Sequence, residues 1–185
     1  MEIVLIYSLT NFVISMISTT YRAISIAKGR STRITQAIGT GSFIIGCIFN
    51  PLWGLFYDKV RYKIVLLMLN IGSAVVGFAY YFCIFNDVTF LIATLFETVL
   101  LAGSMGSMAP HIMKVFGMKY FIEIGGIINF GVGITNTLSS VFAFLINVYL
   151  NNSDLSYAIM FIVSGGLACI AVFLGLFENE EEFKY

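Results

Sequence analysis

Apolar residues run along this chain in long unbroken stretches, at about 3–21, 35–57, 64–84, 89–110, 125–150 and 156–176, with short polar links between them. A helix that crosses a bilayer needs roughly 20 mostly apolar residues, and each run meets that length. Strands of a membrane barrel would instead alternate apolar and polar residues over about 9–11 positions, and these runs do not alternate. The pattern predicts an all-α membrane protein. Six transmembrane helices form one domain over 1–177, followed by a short acidic tail over 178–185. The longest links are Arg22 to Ile34, Asp58 to Lys63 and His111 to Ile124, and tight turns are expected at "FNDV" (85–88) and "NNSD" (151–154).

Composition sharpens this. A chain that is 59% hydrophobic and 11% charged lies outside the range of soluble domains, where about half the residues are apolar. The formal net charge is zero, which gives no case for nucleic-acid binding. Cys47, Cys83 and Cys169 all fall inside predicted spans, where a packed thiol is the ordinary expectation, so no disulfide or metal framework and no cofactor is implied. The opening "MEIVLIYSLTNF" carries Glu2 and no basic segment, so it reads as the start of a retained span and not as a signal peptide. Glycines recur within the runs, most densely in the fifth (Gly125, Gly126, Gly131, Gly133). Small residues let helix backbones approach closely in lipid, and such a surface is also suited to sliding.

Charge is concentrated in "GLFYDKVRYK" (54–63), between the second and third helices. A simple anchor to anionic lipid would need its lysines but neither Gly54 nor Asp58. The stretch resembles the signature loop of the major facilitator superfamily, G-x-L-x-D-[RK]-x-G-[RK]-[RK]. Gly54, Phe56, Asp58, Lys59 and Lys63 match or substitute conservatively, while Arg61 replaces the second glycine and Tyr62 a basic residue. Two longer stretches, "NPLWGLFYDKVRYK" (50–63) and "PHIMKVFGMKYFIEIGGIINFGVG" (110–133), look like the eighth span with its loop and the tenth and eleventh spans of the oxalate/formate antiporter and monocarboxylate transporter group. Amino-acid carriers of the superfamily show a similar pattern.

The resemblance covers the chain as one six-helix half, the C-terminal one, of a twelve-helix transporter. It implies secondary active transport of a small organic solute, a monocarboxylate or an amino acid, by alternating access. It also implies a partner, either a missing N-terminal half or a second copy of the chain. On that topology Lys59, Arg61, Lys63, Lys114, Lys119 and Lys184 lie inside and Arg22, Lys28, Arg30 and Arg33 outside, a positive-inside bias of six to four.

In the family the first, second, fourth and fifth helices of such a half line the solute path. The expected path residues are therefore Glu97, Asn11, Asn129 and Asn136, with Tyr7, Thr10, Thr135 and Thr137 beside them and Arg22 and Arg33 at the outer helix ends. Asn and Thr also serve simply as interhelical hydrogen-bonding groups, each worth about 0.6 kcal/mol on average. Glu97 differs in kind, because a carboxyl group mid-span costs several kcal/mol unless it is paired, protonated or wetted. It is either a proton-coupling site or a neutral acid bonded to a neighbouring helix. Arg22 and Arg33 could attract an organic anion or contact headgroups. No Lys or Arg occurs between Phe121 and Tyr149, where the oxalate/formate pattern implies one.

Other classes remain to be weighed. An intramembrane hydrolase needs a nucleophile with a positioned base, and the only histidine, His111, sits at a run's end as an interfacial residue, so an enzyme is not expected. A non-transporting six-helix interaction protein is the remaining alternative. The transporter reading sets three structural expectations. Asp58 should lie near a helix N-terminus and look unpaired, with Lys59, Arg61 and Lys63 facing water or headgroups. Glu97 should face a cavity or the first and fifth helices. Asn11, Glu97, Asn129 and Asn136 should share one face left open in the isolated chain.

Overall fold

The computed structural model describes residues 2–150 and 153–177, with side chains from residue 4 onward. The acidic tail, 178–185, and the first two residues of the "NNSD" turn, 151–152, lie outside the described residues. Six α-helices follow one another: α1 (Glu2–Ala27), α2 (Thr32–Lys59), α3 (Tyr62–Cys83), α4 (Asp87–Phe116), α5 (Phe121–Tyr149) and α6 (Asp154–Phe177), with a 3-10 turn at Met118–Tyr120 before α5. All six are long and apolar enough to cross a membrane. The chain is a multi-pass integral membrane protein.

Each helix is longer than its hydrophobic stretch, although α3 and α5 end one residue inside it, because hydropathy marks the hydrocarbon layer whereas a helix continues until its backbone bonding is interrupted. The interruptions are local. Gly29 and Gly117 turn the chain at φ 65° and 74°, a region side-chain-bearing residues rarely occupy. Val60 and Arg61 are extended, and Asn86 caps α4 by accepting the Val88 N–H at 2.9 Å.

The helix α1 is central. It packs on α5 and α6 and also touches α4 and α3, while α2 lies mainly on α4 and α3 on α6. The main core gathers Met16, Ile17 and Ile24 of α1 with Leu69 and Tyr80 of α3, Phe90 of α4 and Tyr157, Met160 and Phe161 of α6. Glycines set the crossings. A Cβ on Gly77 would fall 2.9 Å from Gly165 Cα, one on Gly131 2.9 Å from Ser8 Oγ, and one on Gly106 2.5 Å from the Asn50 carbonyl oxygen.

Two helices are left largely uncovered. In the apolar windows only 6% of α2 and 17% of α5 is buried within the chain, against 56% of α1 and 50% of α3. The polar side chain of α3 is used structurally: fully buried Asn70 accepts the Thr10 hydroxyl at 2.6 Å and donates to the Ala171 carbonyl at 3.3 Å, joining α3 to α1 and α6. The cations of the α1–α2 link have a similar role. Arg30 donates to Asp87 Oδ1 at 2.6 Å and to the Ile84 carbonyl, and lies over the Phe90 ring; Lys28 pairs with Asp154. Two of the four cations assigned outside are thus held by carboxylates in the first turns of α4 and α6, which gives that basic link a structural reason.

Candidate functional site

A cleft of about 970 Å³ opens between α1, α2 and α4, within the roughly 300–1,000 Å³ of small-molecule sites. Each helix contributes a stripe at helical spacing. From α4 come Thr94 with Glu97 and Thr98 three and four residues on, from α1 Ser18 and Arg22, and from α2 Gly39, Ser42, Gly46 and Asn50, spacings that return to one helix face. Gly39 and Gly46 are open there, with no neighbour closer than 3.9 Å to an added Cβ, so they widen the cleft. The apolar wall includes Phe43, Leu101 and Met105.

Glu97 is 2% exposed. Its Oε1 accepts the Ser18 hydroxyl at 3.3 Å, and Oε2 has no hydrogen-bond partner among the described residues. The Thr98 hydroxyl is shared between Ser42 Oγ at 3.0 Å and its own Thr94 carbonyl at 3.1 Å. Arg22 stands at the mouth, its Nε donating to Tyr21 Oη at 2.9 Å, and also lines a smaller outer hollow with Thr35 and Gln36. Glu97 and Arg22 are the only charged side chains among the residues lining the cleft. Glu97 therefore faces a cavity, as expected, but between α1 and α2; α5 contributes nothing to that lining.

The other expected path residues divide. Asn11 is 2% exposed and donates to the Tyr7 carbonyl at 2.8 Å and to Ser104 Oγ at 3.1 Å. It clasps α1 to α4, so neither Asn11 nor Glu97 lies on an open face. Asn129 and Asn136 are exposed on α5, away from Glu97, and Asn129 edges a shallow groove with Phe130 and Thr137. Arg33 is exposed at the start of α2 and lines neither hollow. The single expected face is thus two separate surfaces. Helical periodicity within one helix cannot show which side a neighbouring helix covers.

At the opposite end of α2 the charged stretch departs from expectation. Asp58 lies in the last turn of α2, near a helix C-terminus, and pairs with Lys114 of α4 at 3.6 Å. It is neither at an N-terminus nor unpaired, because α2 continues through Lys59 and α4 through Phe116, bringing Lys114 alongside. Lys114 also donates to the Tyr57 carbonyl at 3.1 Å and sits 4.5 Å from that ring's centre. Lys59 and Arg61 are exposed, as expected, while Lys63 is half-buried. Gly54 lines the lower cleft, and its Cβ position would meet only the Gly106 carbonyl at 3.8 Å.

His111 is a second correction. It is 0% exposed, stacked on Tyr62 at 3.5 Å between ring centres, with Nδ1 3.2 Å from Tyr57 Oη. The apolar run ends at 110, but α4 continues through Phe116, so the imidazole lies inside the bundle and not at an interface. The thiols also differ from expectation: Cys47 and Cys169 are exposed and Cys83 is half-buried, with Cys47 facing the cleft.

The sequence profile of the Major Facilitator Superfamily matches residues 3–184. The chain belongs to the Major Facilitator Superfamily. The six helices are thus half of a major facilitator fold, and the family is one of transporters, in keeping with a non-enzymatic protein. No curated protein and no solved structure matches the chain. Within this superfamily member, the feature that combines space, a buried carboxyl and a guanidinium is the α1/α2/α4 cleft. Sequence reasoning missed Ser18, Ser42, Asn50, Thr94 and Thr98 as its lining, although their spacing from Arg22 and Glu97 carried the signal.

Proposed function

We propose that this chain is one six-helix half, of the C-terminal type, of a secondary active transporter that moves a small organic carboxylate by alternating access. The observation that carries the reading is the cleft holding Glu97 and Arg22 in a major facilitator chain. Arg22 receives the carboxylate at the mouth, where a guanidinium fork gives bidentate recognition. This supplies the cation that α5 lacks. Glu97 is the proton-exchanging group: it is buried, anchored through one oxygen, and open to the cleft through the other.

A second six-helix unit, an N-terminal half or another copy, completes the path. Support comes from the exposed faces of α2 and α5, which carry Asn50, Asn129 and Asn136. Alternating access needs one bundle to rock against another around a site near the midplane, and polar groups are costly against hydrocarbon. The Asp58–Lys114 pair joins α2 to α4 at the signature loop, so the loop moves with that helix pair.

The test is uptake of radiolabelled 4-methylpentanoate into liposomes containing only this polypeptide, with cross-linking to report its oligomeric state. Saturable uptake by a dimer is expected, and Glu97→Gln should remove its dependence on a proton gradient while leaving exchange at saturating solute. Saturable uptake by a proven monomer would overturn the half-transporter assembly. No uptake by a proven dimer would overturn transport by two copies and leave a half that needs a separate N-terminal unit or a six-helix interaction protein.

A further inference from the structure

The charge arrangement of the cleft says more about the solute than that it is a carboxylate. We propose that the solute is zwitterionic, a small molecule with an ammonium group held by Glu97 and a carboxylate held by Arg22; this rests on the transport reading above and narrows it.

The argument begins at Glu97. Its Oε1 is engaged by the Ser18 hydroxyl at 3.3 Å, while Oε2 is left without a hydrogen-bond partner among the described residues on a side chain that is 2% exposed. Oε2 is the part of this otherwise buried group that meets the cleft, so a donor for it comes from whatever occupies the cleft. The two neighbouring hydroxyls of α4 do not supply it. Thr98 is directed to Ser42 Oγ and its own helix, and Thr94 donates to the Phe90 carbonyl at 2.7 Å. An N–H donor bearing positive charge suits the position best, because hydrogen bonds between ionised partners are the stronger ones.

The second charge lies nearby. Ser18 and Arg22 are four residues apart on α1, so Arg22 rises about 6 Å above the group that anchors Glu97, on the same helix face. An ammonium on Glu97 therefore leaves the other end of a small solute one helical turn toward the mouth, where the guanidinium closes on a carboxylate. A carboxylate lacking the ammonium would sit within a turn of Glu97 and leave Oε2 unsatisfied. An amine lacking the carboxylate would leave Arg22 without its partner. The cleft balances one acid against one base, and a zwitterion satisfies both. The wall of Phe43, Leu101 and Met105 selects an apolar substituent between the two ends.

Three probes of nearly one shape separate the cases: leucine, 4-methylpentanoate (leucine without its amine) and 3-methylbutylamine (leucine without its carboxylate). Binding is read as the concentration dependence of thermal unfolding of the full-length chain in lipid nanodiscs, since a ligand of the native state raises the midpoint in proportion to its occupancy. Leucine should bind at least about tenfold more tightly than either truncated probe, because a site built to hydrogen-bond a group rejects the analogue that lacks it. Glu97→Gln, checked for folding by helical content and dispersity, should weaken leucine about tenfold and leave 4-methylpentanoate unchanged or improved, whereas Glu97→Asp should retain most of the preference. Leucine that binds in this way but is not taken up by proteoliposomes would uphold the zwitterion site and sink transport by copies of this chain alone. Equal or tighter binding of 4-methylpentanoate would overturn the zwitterion and keep the carboxylate reading. Equal binding of 3-methylbutylamine, or no binding of any probe to the folded chain, would overturn both.

Discussion

The crossing of α2 on α4 forms the back of the cleft, and Gly106→Ala tests it in a way that can be worked from the structure. A methyl group there would stand 2.5 Å from the Asn50 carbonyl oxygen and 2.7 Å from Asn50 Oδ1, about 1 Å inside the roughly 3.5 Å at which nonbonded atoms first attract. The nearer atom is backbone, so no rotamer change relieves it, and α2 must shift as a body. Overpacking of this kind costs about 1–3 kcal/mol. The single tryptophan reports on the same contact, because Trp53 Nε1 donates to the Val99 carbonyl at 3.0 Å and its ring lies against Gly103. Denaturant unfolding in mixed micelles should therefore show Gly106→Ala destabilised by that amount, with altered Trp53 emission in the folded state. The control is Gly166→Ala, where an added Cβ has no neighbour within 4 Å; it should change stability by no more than about 1 kcal/mol. If Gly106→Ala behaves like the control in both readouts, α2 and α4 do not cross at this point and the cleft has no such back wall.

Other consequences can be checked in the same system. Asn70→Leu removes two interhelical bonds and should cost about 1 kcal/mol with solute affinity unchanged; a loss of affinity would place α3 in the site. Arg30→Ala removes the contacts to Asp87 and the Ile84 carbonyl from a side chain only 4% exposed, so it should destabilise by about 1–3 kcal/mol, and an unaffected variant would deny that the α1–α2 link is a structural tie. Lys114→Met and Asp58→Asn break a pair whose side chains are 47% and 64% exposed, so stability should fall by less than about 1 kcal/mol while transport slows. Unchanged transport kinetics would reduce the stretch 54–63 to a solvated turn.

What was legible in the sequence follows from what membrane insertion demands locally. Six apolar runs gave six helices because a spanning segment must satisfy its own backbone within itself, and Glu97 stood out because a mid-span carboxyl is costly wherever it points. Arg22, by contrast, could be linked to Glu97 only once α1 was laid against α4. The expected common face of Asn11, Glu97, Asn129 and Asn136 failed because Asn11 turns inward to Ser104 while the two α5 asparagines look outward. Asp58 has its partner in a segment that hydropathy marks as a link, because α4 continues to Phe116, past the end of its apolar run. His111 was displaced from bundle to interface by the same shortfall. The one clue available earlier was spacing: Thr94, Glu97 and Thr98 share a face, as do Ser18 and Arg22, and those stripes are the site.

Cys47 offers the most direct test that this cleft is the solute path, since it is exposed on the cleft wall while Cys83 and Cys169 lie outside the lining. In a Cys83→Ser, Cys169→Ser chain reconstituted in liposomes, a water-soluble methanethiosulfonate reagent is applied and residual leucine uptake is measured against the fraction of Cys47 modified. Uptake should fall in proportion to modification, and leucine present during the reaction should slow both. Complete modification of Cys47 with uptake undiminished would contradict the account, because the solute would then cross somewhere other than between α1, α2 and α4.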